Sequence, residues 1–144
     1  MRFLTHIIAA DAEDLAAIAV AAEPLTNWSG IEAAGFDTVK FALLHSLLTG
    51  DPLHIALERY QPICTVADET IVLHLSDLLV ERLASFDEDA LRDLATELAA
   101  TQDFENEQWS VETVLGRLGE LAELAQLAES QGQTLFARIA LQLD

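Results

Sequence analysis

Three observations predict an α+β fold: a small antiparallel sheet that includes the N- and C-terminal strands, packed against about five helices. The segment from Arg2 to Ala9 is short, apolar and rich in β-branched residues, which is typical of a strand. The segment from Thr134 to Leu143 alternates apolar and polar residues, as an amphipathic strand does. Most of the chain between them has helical spacing and capping residues, so helices are expected to cover the paired strands.

The composition limits the classes of function. The 144 residues predict a single domain, 1–144, and 51% hydrophobic residues argue against disorder. With 7 Lys+Arg against 25 Asp+Glu the net charge is −18, and Lys40 is the only lysine. This balance argues against nucleic acid and anionic membrane surfaces as partners, since both are bound by basic footprints.

The sequence also predicts a cytoplasmic protein. The apolar run after Met1 is brief and soon meets acidic residues, unlike a signal peptide, and no run approaches the length of a membrane span. Cys64 is the only cysteine, so no intrachain disulfide is possible, and we expect it to be buried and inert.

The first third of the chain is predicted to be a helix, a loop and a second helix. Asp11 is expected to cap a helix that runs to about Ala22 and stops before Pro24. Residues 23–35 are predicted to be a long loop in which Ser29-Gly30 forms a turn.

A second helix is expected from Asp37 to Thr49, closed by Gly50. Asp51-Pro52 then resembles an N-cap followed by proline at the first helical position, which predicts a short helix from Leu53 to Arg59. The second helix carries a wide apolar stripe formed by Val39, Leu43, Leu44, Leu47 and Leu48.

The remaining elements are predicted in the same way. Residues 61–69 are irregular and residues 101–109 form a second long loop. The regular elements are a strand from Thr70 to Leu75, a helix begun by Ser76-Asp77 and ending near Ser85, a helix capped by Asp87 and ending at Ala100, and a long helix capped by Ser110, running from Val111 to Gln131 and closed by Gly132.

One stretch resembles a known family. Residues 40–50 read Lys-Phe-Ala-Leu-Leu-His-Ser-Leu-Leu-Thr-Gly, which is similar to the Trp-x-x-Leu-His-x-Leu-Leu-Thr-Gly helix of bacterial YfbM-like proteins, a family of unknown function. Phe41 stands where the family usually has tryptophan, and the segment between Gly50 and Thr70 is unlike the family. The order of the later elements is also similar. The resemblance implies a small cytoplasmic α+β domain and no assigned catalytic residues. The matching positions are Leu44, His45, Leu47, Leu48, Thr49 and Gly50.

No catalytic, metal or cofactor motif is present. The four histidines lack the His-x-x-x-His spacing that places two ligands on one helical face, and a Gly-x-Ser-x-Gly sequence, a phosphate-binding glycine loop and a Cys-x-x-Cys pair are absent. The sequence therefore predicts no cofactor. A pocket near His45, Asp51 and His54 is a candidate, and the alternative is that His45 is a hydrogen-bonded residue at the edge of a buried helix.

An acidic loop is the candidate interaction segment. Its members are Asp103, Phe104, Glu105, Glu107 and Trp109. It could dock on a basic partner with its aromatic side chains as anchors. Alternatively, Phe104 and Trp109 pack on the core as tethers, which is the commoner case for a lone aromatic residue in a loop. Trp28, in the first long loop, has the same two alternatives.

These observations predict a non-enzymatic protein-interaction domain, for example an immunity- or antitoxin-like acidic binder of a basic protein. The alternatives are a small enzyme or ligand-binding protein using the His45 pocket, and a structural domain without a dedicated ligand. The apolar long helix fits a monomer or a homodimer. Twelve acids lie at or near predicted helix starts, so capping explains about half of the charge: Asp11, Glu13, Asp14, Asp37, Asp51, Asp68, Glu69, Asp77, Asp87, Glu88, Asp89 and Glu112.

Overall fold

A five-stranded antiparallel sheet organises the protein in a computed structural model that describes residues 2–66 and 70–142. The strand order is β2-β1-β5-β4-β3, so the N- and C-terminal strands lie together in the middle. The α+β class is confirmed. The strands are β1 (Arg2–Ala10), β2 (Ser29–Glu32), β3 (Cys64–Val66), β4 (Thr70–His74) and β5 (Thr134–Gln142).

Eight α-helices and a 3-10 helix (Ala12–Asp14) lie within these described residues. Two of the α-helices, α2 and α7, are short and lie in segments predicted to be loops. The helices are α1 (Leu15–Val20), α2 (Pro24–Asn27), α3 (Thr38–Thr49), α4 (Leu53–Arg59), α5 (Asp77–Ser85), α6 (Glu88–Ala99), α7 (Gln102–Asn106) and α8 (Val111–Gln131).

The sheet has a hydrophobic cluster on each face. β1 and β5 pair over nine residues, from Arg2 opposite Gln142 to Ala10 opposite Thr134. Because alternate side chains point to opposite faces, Ile7 and Leu135 join the larger cluster with α3, α5, α6 and α8. Ile8 and Phe136 join the smaller cluster with α1.

β2 corrects the prediction of a long loop over residues 23–35. Gly30 pairs with Ile8 in the sheet, so the Ser29-Gly30 dipeptide belongs to a strand and not to a turn. A Cβ atom on Gly30 would lie 2.5 Å from the carbonyl oxygen of Ile7 and 2.8 Å from Leu25 Cδ2. Glycine is therefore needed here for close approach, which sequence patterns do not distinguish from a turn.

β3 corrects the prediction that residues 61–69 are irregular. Cys64 pairs with Val72 and Val66 pairs with Thr70, so this three-residue edge strand is too short to show an alternating pattern. Asp68 and Glu69, which were expected near a helix start, and Leu143, which was expected in the last strand, lie outside the described residues.

The first predicted helix is shorter than expected. Asp11 makes no side-chain cap hydrogen bond, and a 3-10 turn precedes α1, which ends at Val20. Pro24 begins α2 at its first turn, where its missing N–H costs nothing. Four other predicted caps are confirmed by side-chain hydrogen bonds to the backbone N–H three residues later: Asp37, Ser76, Asp87 and Ser110.

α3 is buried more widely than its apolar stripe indicated. Val39 and Leu47, predicted to face the core, are 39% and 37% exposed. Lys40 and His45 are instead 0% and 1% exposed, because α3 is packed against α4, α5 and α6. Gly50 ends the helix in the left-handed conformation, as expected.

Two findings concern the helices of the described part of the chain. None of its helices combines the length and hydropathy needed to cross a bilayer. The long helix α8 packs against α5, α6 and the sheet, which accounts for the burial of Leu118, Leu121 and Leu124.

We expect His6 to make stability depend on pH below neutrality. Burial lowers the pKa of His6, the Arg138 charge lowers it further, and Glu32 opposes this shift. A histidine with a lowered pKa stabilises the fold above its unfolded pKa of about 6.5, and this stabilisation is lost as the pH falls. The free energy of unfolding should therefore fall more from pH 7.5 to 5 in the wild type than in His6→Gln, measured by urea titration.

The matched control for this experiment is His54→Gln, which removes an exposed imidazole. Its pH dependence should follow the wild type. Identical slopes for the wild type and His6→Gln would contradict the role of His6.

Candidate functional site

The only lysine of the chain lies in a cluster of carboxylates. Lys40 Nζ, on α3, donates a hydrogen bond to Glu107, and lies 3.0 Å from Asp103 Oδ2 and 3.5 Å from Asp37 Oδ2. It also lies 5.6 Å from the ring centroid of Phe104. A buried charge needs partners of this kind, since removal from water is costly.

The electrostatics keep this lysine charged. Burial alone would lower the pKa of Lys40, but the hydrogen bond to Glu107 and the negative charges of Asp103 and Asp37 raise it above its ordinary value. The ammonium group is therefore a protonated clamp between α3 and α7, and it is not available as a base or nucleophile.

Two of the carboxylates that bind Lys40 lie in the segment predicted to be an interaction loop. Asp103 and Glu107 bind Lys40, and Phe104 is fully buried beside Phe36 and Trp109. Glu105 remains exposed. The packing of Phe104 agrees with the tether alternative, and a partner-binding role for this segment stays a prediction.

A second polar cluster surrounds His45, one turn further along α3. His45 Nε2 lies 3.0 Å from Asp51 Oδ2, and its Nδ1 lies 2.9 Å from Tyr60 Oη and 3.0 Å from Ser76 Oγ. Tyr60 Oη also lies 3.4 Å from Ser76 Oγ. The imidazole of α3 therefore contacts the loop after α3, the residue that follows α4 and the N-cap of α5.

The hydrogen bonds assign the tautomer of His45. A carboxylate only accepts, so Nε2–H donates to Asp51, and in the neutral ring Nδ1 carries the lone pair. Ser76 and Tyr60 both present hydroxyl groups to that lone pair, which accepts one of them at a time. Ser76 Oγ meanwhile accepts the N–H of Leu79 as the cap of α5.

Local structure fixes the Asp51 carboxylate. The backbone N–H of Asp51 donates to Thr49 Oγ1, and its carbonyl accepts from Ser46 Oγ. The prediction that Asp51 caps α4 is wrong, since Pro52 is at the N-cap and no side chain caps that helix. The carboxylate is directed to His45 and lies 3.5 Å from Arg59 Nε.

A cleft of about 440 Å³ opens beside this cluster, within the range of small-ligand sites. Its lining residues are His45, Arg59, His74, Ser76, Asp77 and Leu78. Ser76 is half-buried at its wall, whereas Tyr60 is fully buried behind it. The N–H groups of Asp77 and Leu78 begin α5 and have no acceptor within the helix.

The structure brings together only part of the predicted pocket. His45 and Asp51 are in contact, but His54 is exposed on α4 and makes no hydrogen bond or ion pair with the rest of the described chain. Tyr60 and Ser76 were not identified from the sequence as site residues. Ser76 was recognised as a helix cap, and nothing local indicated that the fold places it beside a histidine.

The lone cysteine and a possible metal site are the other features to place in the structure. Cys64 is half-buried in β3 against the smaller cluster. Over residues 2–66 and 70–142, no three His, Cys, Asp or Glu side chains are grouped so as to hold a metal ion.

Comparison with known proteins identifies the fold. No protein-family model and no curated protein matches the chain. A solved structure described as a protein of unknown function, YfbM from Escherichia coli, is similar over 95% of this chain and 99% of that one, with 16% sequence identity and a TM-score of 0.50. The chain therefore has a YfbM-like fold, and the likeness carries no information on activity.

We expect Lys40→Met to destabilise the protein. It leaves three clustered carboxylates without their cation, and the loss should be about 2–3 kcal/mol, less than for a fully buried pair because the carboxylates are partly exposed. Urea unfolding at pH 7 measures it. The control Arg92→Met removes an exposed cation and should change little, and Lys40→Met/Glu107→Gln should regain part of the loss. If Lys40→Met and Arg92→Met were equally stable, the role of Lys40 as a clamp would be contradicted.

We expect Tyr60→Phe to retain the fold and lower the free energy of unfolding by about 1 kcal/mol, the net value of one hydrogen bond. His45 Nδ1 keeps Ser76 as its donor in this variant, so no buried lone pair is left without a partner. Thermal and urea unfolding measure the change. A loss as large as that of Lys40→Met would show that Tyr60 holds more of the core than this contact.

Proposed function

We propose that the cleft beside His45 hydrolyses small carboxylic esters, with Ser76 as nucleophile, His45 as general base and Asp51 as the group that orients and stabilises the imidazole. The observation that carries the proposal is the placement of one imidazole between Ser76 Oγ and Asp51 Oδ2, 3.0 Å from each. The same three roles act in serine hydrolases, although here Nδ1 faces the serine and Nε2 faces the carboxylate.

The first half of the reaction forms an acyl-enzyme. Ser76 Oγ adds to the ester carbonyl carbon while its proton passes to His45 Nδ1, and Asp51 stabilises the imidazolium. In this proposal the N–H groups of Asp77 and Leu78, two residues that line the cleft at the start of α5, stabilise the developing oxyanion. His45 then returns the proton to the leaving oxygen, which releases the alcohol and leaves the acyl group on Ser76.

The second half consumes one water molecule. His45 takes a proton from the water as its oxygen adds to the acyl carbon, and then gives that proton to Ser76 Oγ as the acyl bond breaks. The products are a carboxylic acid and free enzyme. Arg59, about half exposed at the cleft, adds a cation that would attract a negatively charged substrate.

The net charge of −18 supports a second proposed function, the binding of a basic protein. It uses a different surface from the cleft. A structural domain without a ligand is the remaining alternative, and it requires both an unreactive Ser76 and no partner binding.

Labelling with a fluorophosphonate probe tests the proposal. We expect one adduct by intact mass, mapped by peptide analysis to Ser76. His45→Gln should slow labelling about 100-fold, the lower range for a general base, and Asp51→Asn should slow it about tenfold or more. Tyr60→Phe removes the competing hydroxyl at Nδ1, so labelling should be retained.

Two controls separate this chemistry from background reactivity. His54→Gln removes an exposed imidazole and Ser85→Ala an exposed-helix serine, and both should label like the wild type. Absence of the Ser76 adduct, or labelling that is insensitive to both His45→Gln and Asp51→Asn in folded protein, would show that the cluster only holds α3 to α5.

A further inference from the structure

The outer edge of β2 borders a groove on the far side of the sheet from β3. β2 is the terminal strand in the order β2-β1-β5-β4-β3, so within residues 2–66 and 70–142 only one of its edges is paired. The groove lies between β2 and α8 and measures about 740 Å³. Its lining includes Leu25, Trp28 and Gly30 on one side and Glu120 and Glu123 on the other.

The register of β2 directs peptide groups into this open edge. The N–H of Ala33 donates to the carbonyl of Thr5, and pairing continues through Ile31 opposite Ile7. In an antiparallel ladder alternate residues bond the neighbouring strand, so the N–H and C=O groups of Gly30 and Glu32 point away from β1. Such an edge is a template for an added strand.

The charges around the edge of β2 favour a basic binding partner. Both charged residues that line the groove are glutamates, and Glu32 lies at the end of β2. Arg117 lies 3.3 Å from Glu120 and offsets part of this charge, while Glu123 is exposed on the next turn of α8. A second copy of this chain would bring the same glutamates and another 18 negative charges to the interface, which disfavours it.

From these observations we infer that the groove binds an extended basic segment of a partner protein, which adds as a strand to β2. The backbone of the segment pairs with Gly30 and Glu32, its basic side chains meet Glu120 and Glu123, and alternate apolar side chains contact Leu25 and Trp28. Four strand residues at about 3.3 Å each span about 13 Å, so a segment of six residues, about 20 Å long, covers the edge and extends about one residue beyond it at each end.

The probe is the peptide acetyl-Lys-Val-Lys-Val-Lys-Val-amide, titrated into ¹⁵N-labelled protein at physiological salt. We expect saturable shifts of the Gly30 and Glu32 amides and slowed hydrogen exchange of these amides in the bound state. A peptide of equal charge with alternate amides N-methylated loses the strand hydrogen bonds, so its affinity should fall at least about tenfold, or about 1.4 kcal/mol.

Matched charge variants separate the groove from general acidity. Glu123→Lys should weaken binding about tenfold, whereas Glu81→Lys, the same change on α5 outside the groove, should alter it less than about twofold. Thermal unfolding confirms that both variants are folded.

Four results would overturn the inference. Equal binding of the N-methylated peptide or equal weakening by the two variants would show non-specific attraction to an acidic protein. No shift at millimolar peptide would exclude strand addition. Self-association at micromolar concentration, with the Gly30 and Glu32 amides protected, would assign the edge to a second copy.

Discussion

The burial of α3 on several sides is the constraint from which both polar clusters follow. α3 packs against α4, α5 and α6, and this packing encloses Lys40 and His45. A buried ammonium or imidazole must find hydrogen-bond partners, because leaving one unsatisfied costs more than the bond itself contributes. Carboxylates from α7 and its neighbours therefore gather around Lys40, while Asp51, Tyr60 and Ser76 gather around His45.

The two clusters differ in what they can do. Lys40 is surrounded by three carboxylates and is held in its charged form, so its cluster joins two helices and leaves no reactive group. His45 Nδ1 instead lies 3.0 Å from the hydroxyl oxygen of Ser76, at the wall of a cleft. The same physical requirement thus produces a clamp at one end of α3 and a hydrogen-bonded histidine beside a cleft near its other end.

The fold separates the acidic residues into two groups. Asp37 and Asp87 cap helices, and Asp103 and Glu107 neutralise Lys40, so these acids have structural uses. The glutamates of α8 beside the edge of β2 are exposed, and they lie where an added strand would run. The net charge alone could not locate a binding surface, because it does not distinguish these two groups of acids.

Local chemistry in the sequence determined β1, β4, β5 and the helices α3, α4, α5, α6 and α8, since alternation, helical spacing and terminal residues act over a few neighbours. It did not identify β2, β3, α2 or α7, which are too short to show a period. It placed Leu44 and Leu48 of α3 correctly in the core but also placed Val39 and Leu47 there, because the helix is too apolar for its pattern to mark the edges of the buried face. Only the tertiary structure decided that Lys40 meets Glu107, 67 residues away, and that His45 meets Ser76, 31 residues away. Those contacts depend on how the helices pack on the sheet, which no local pattern records.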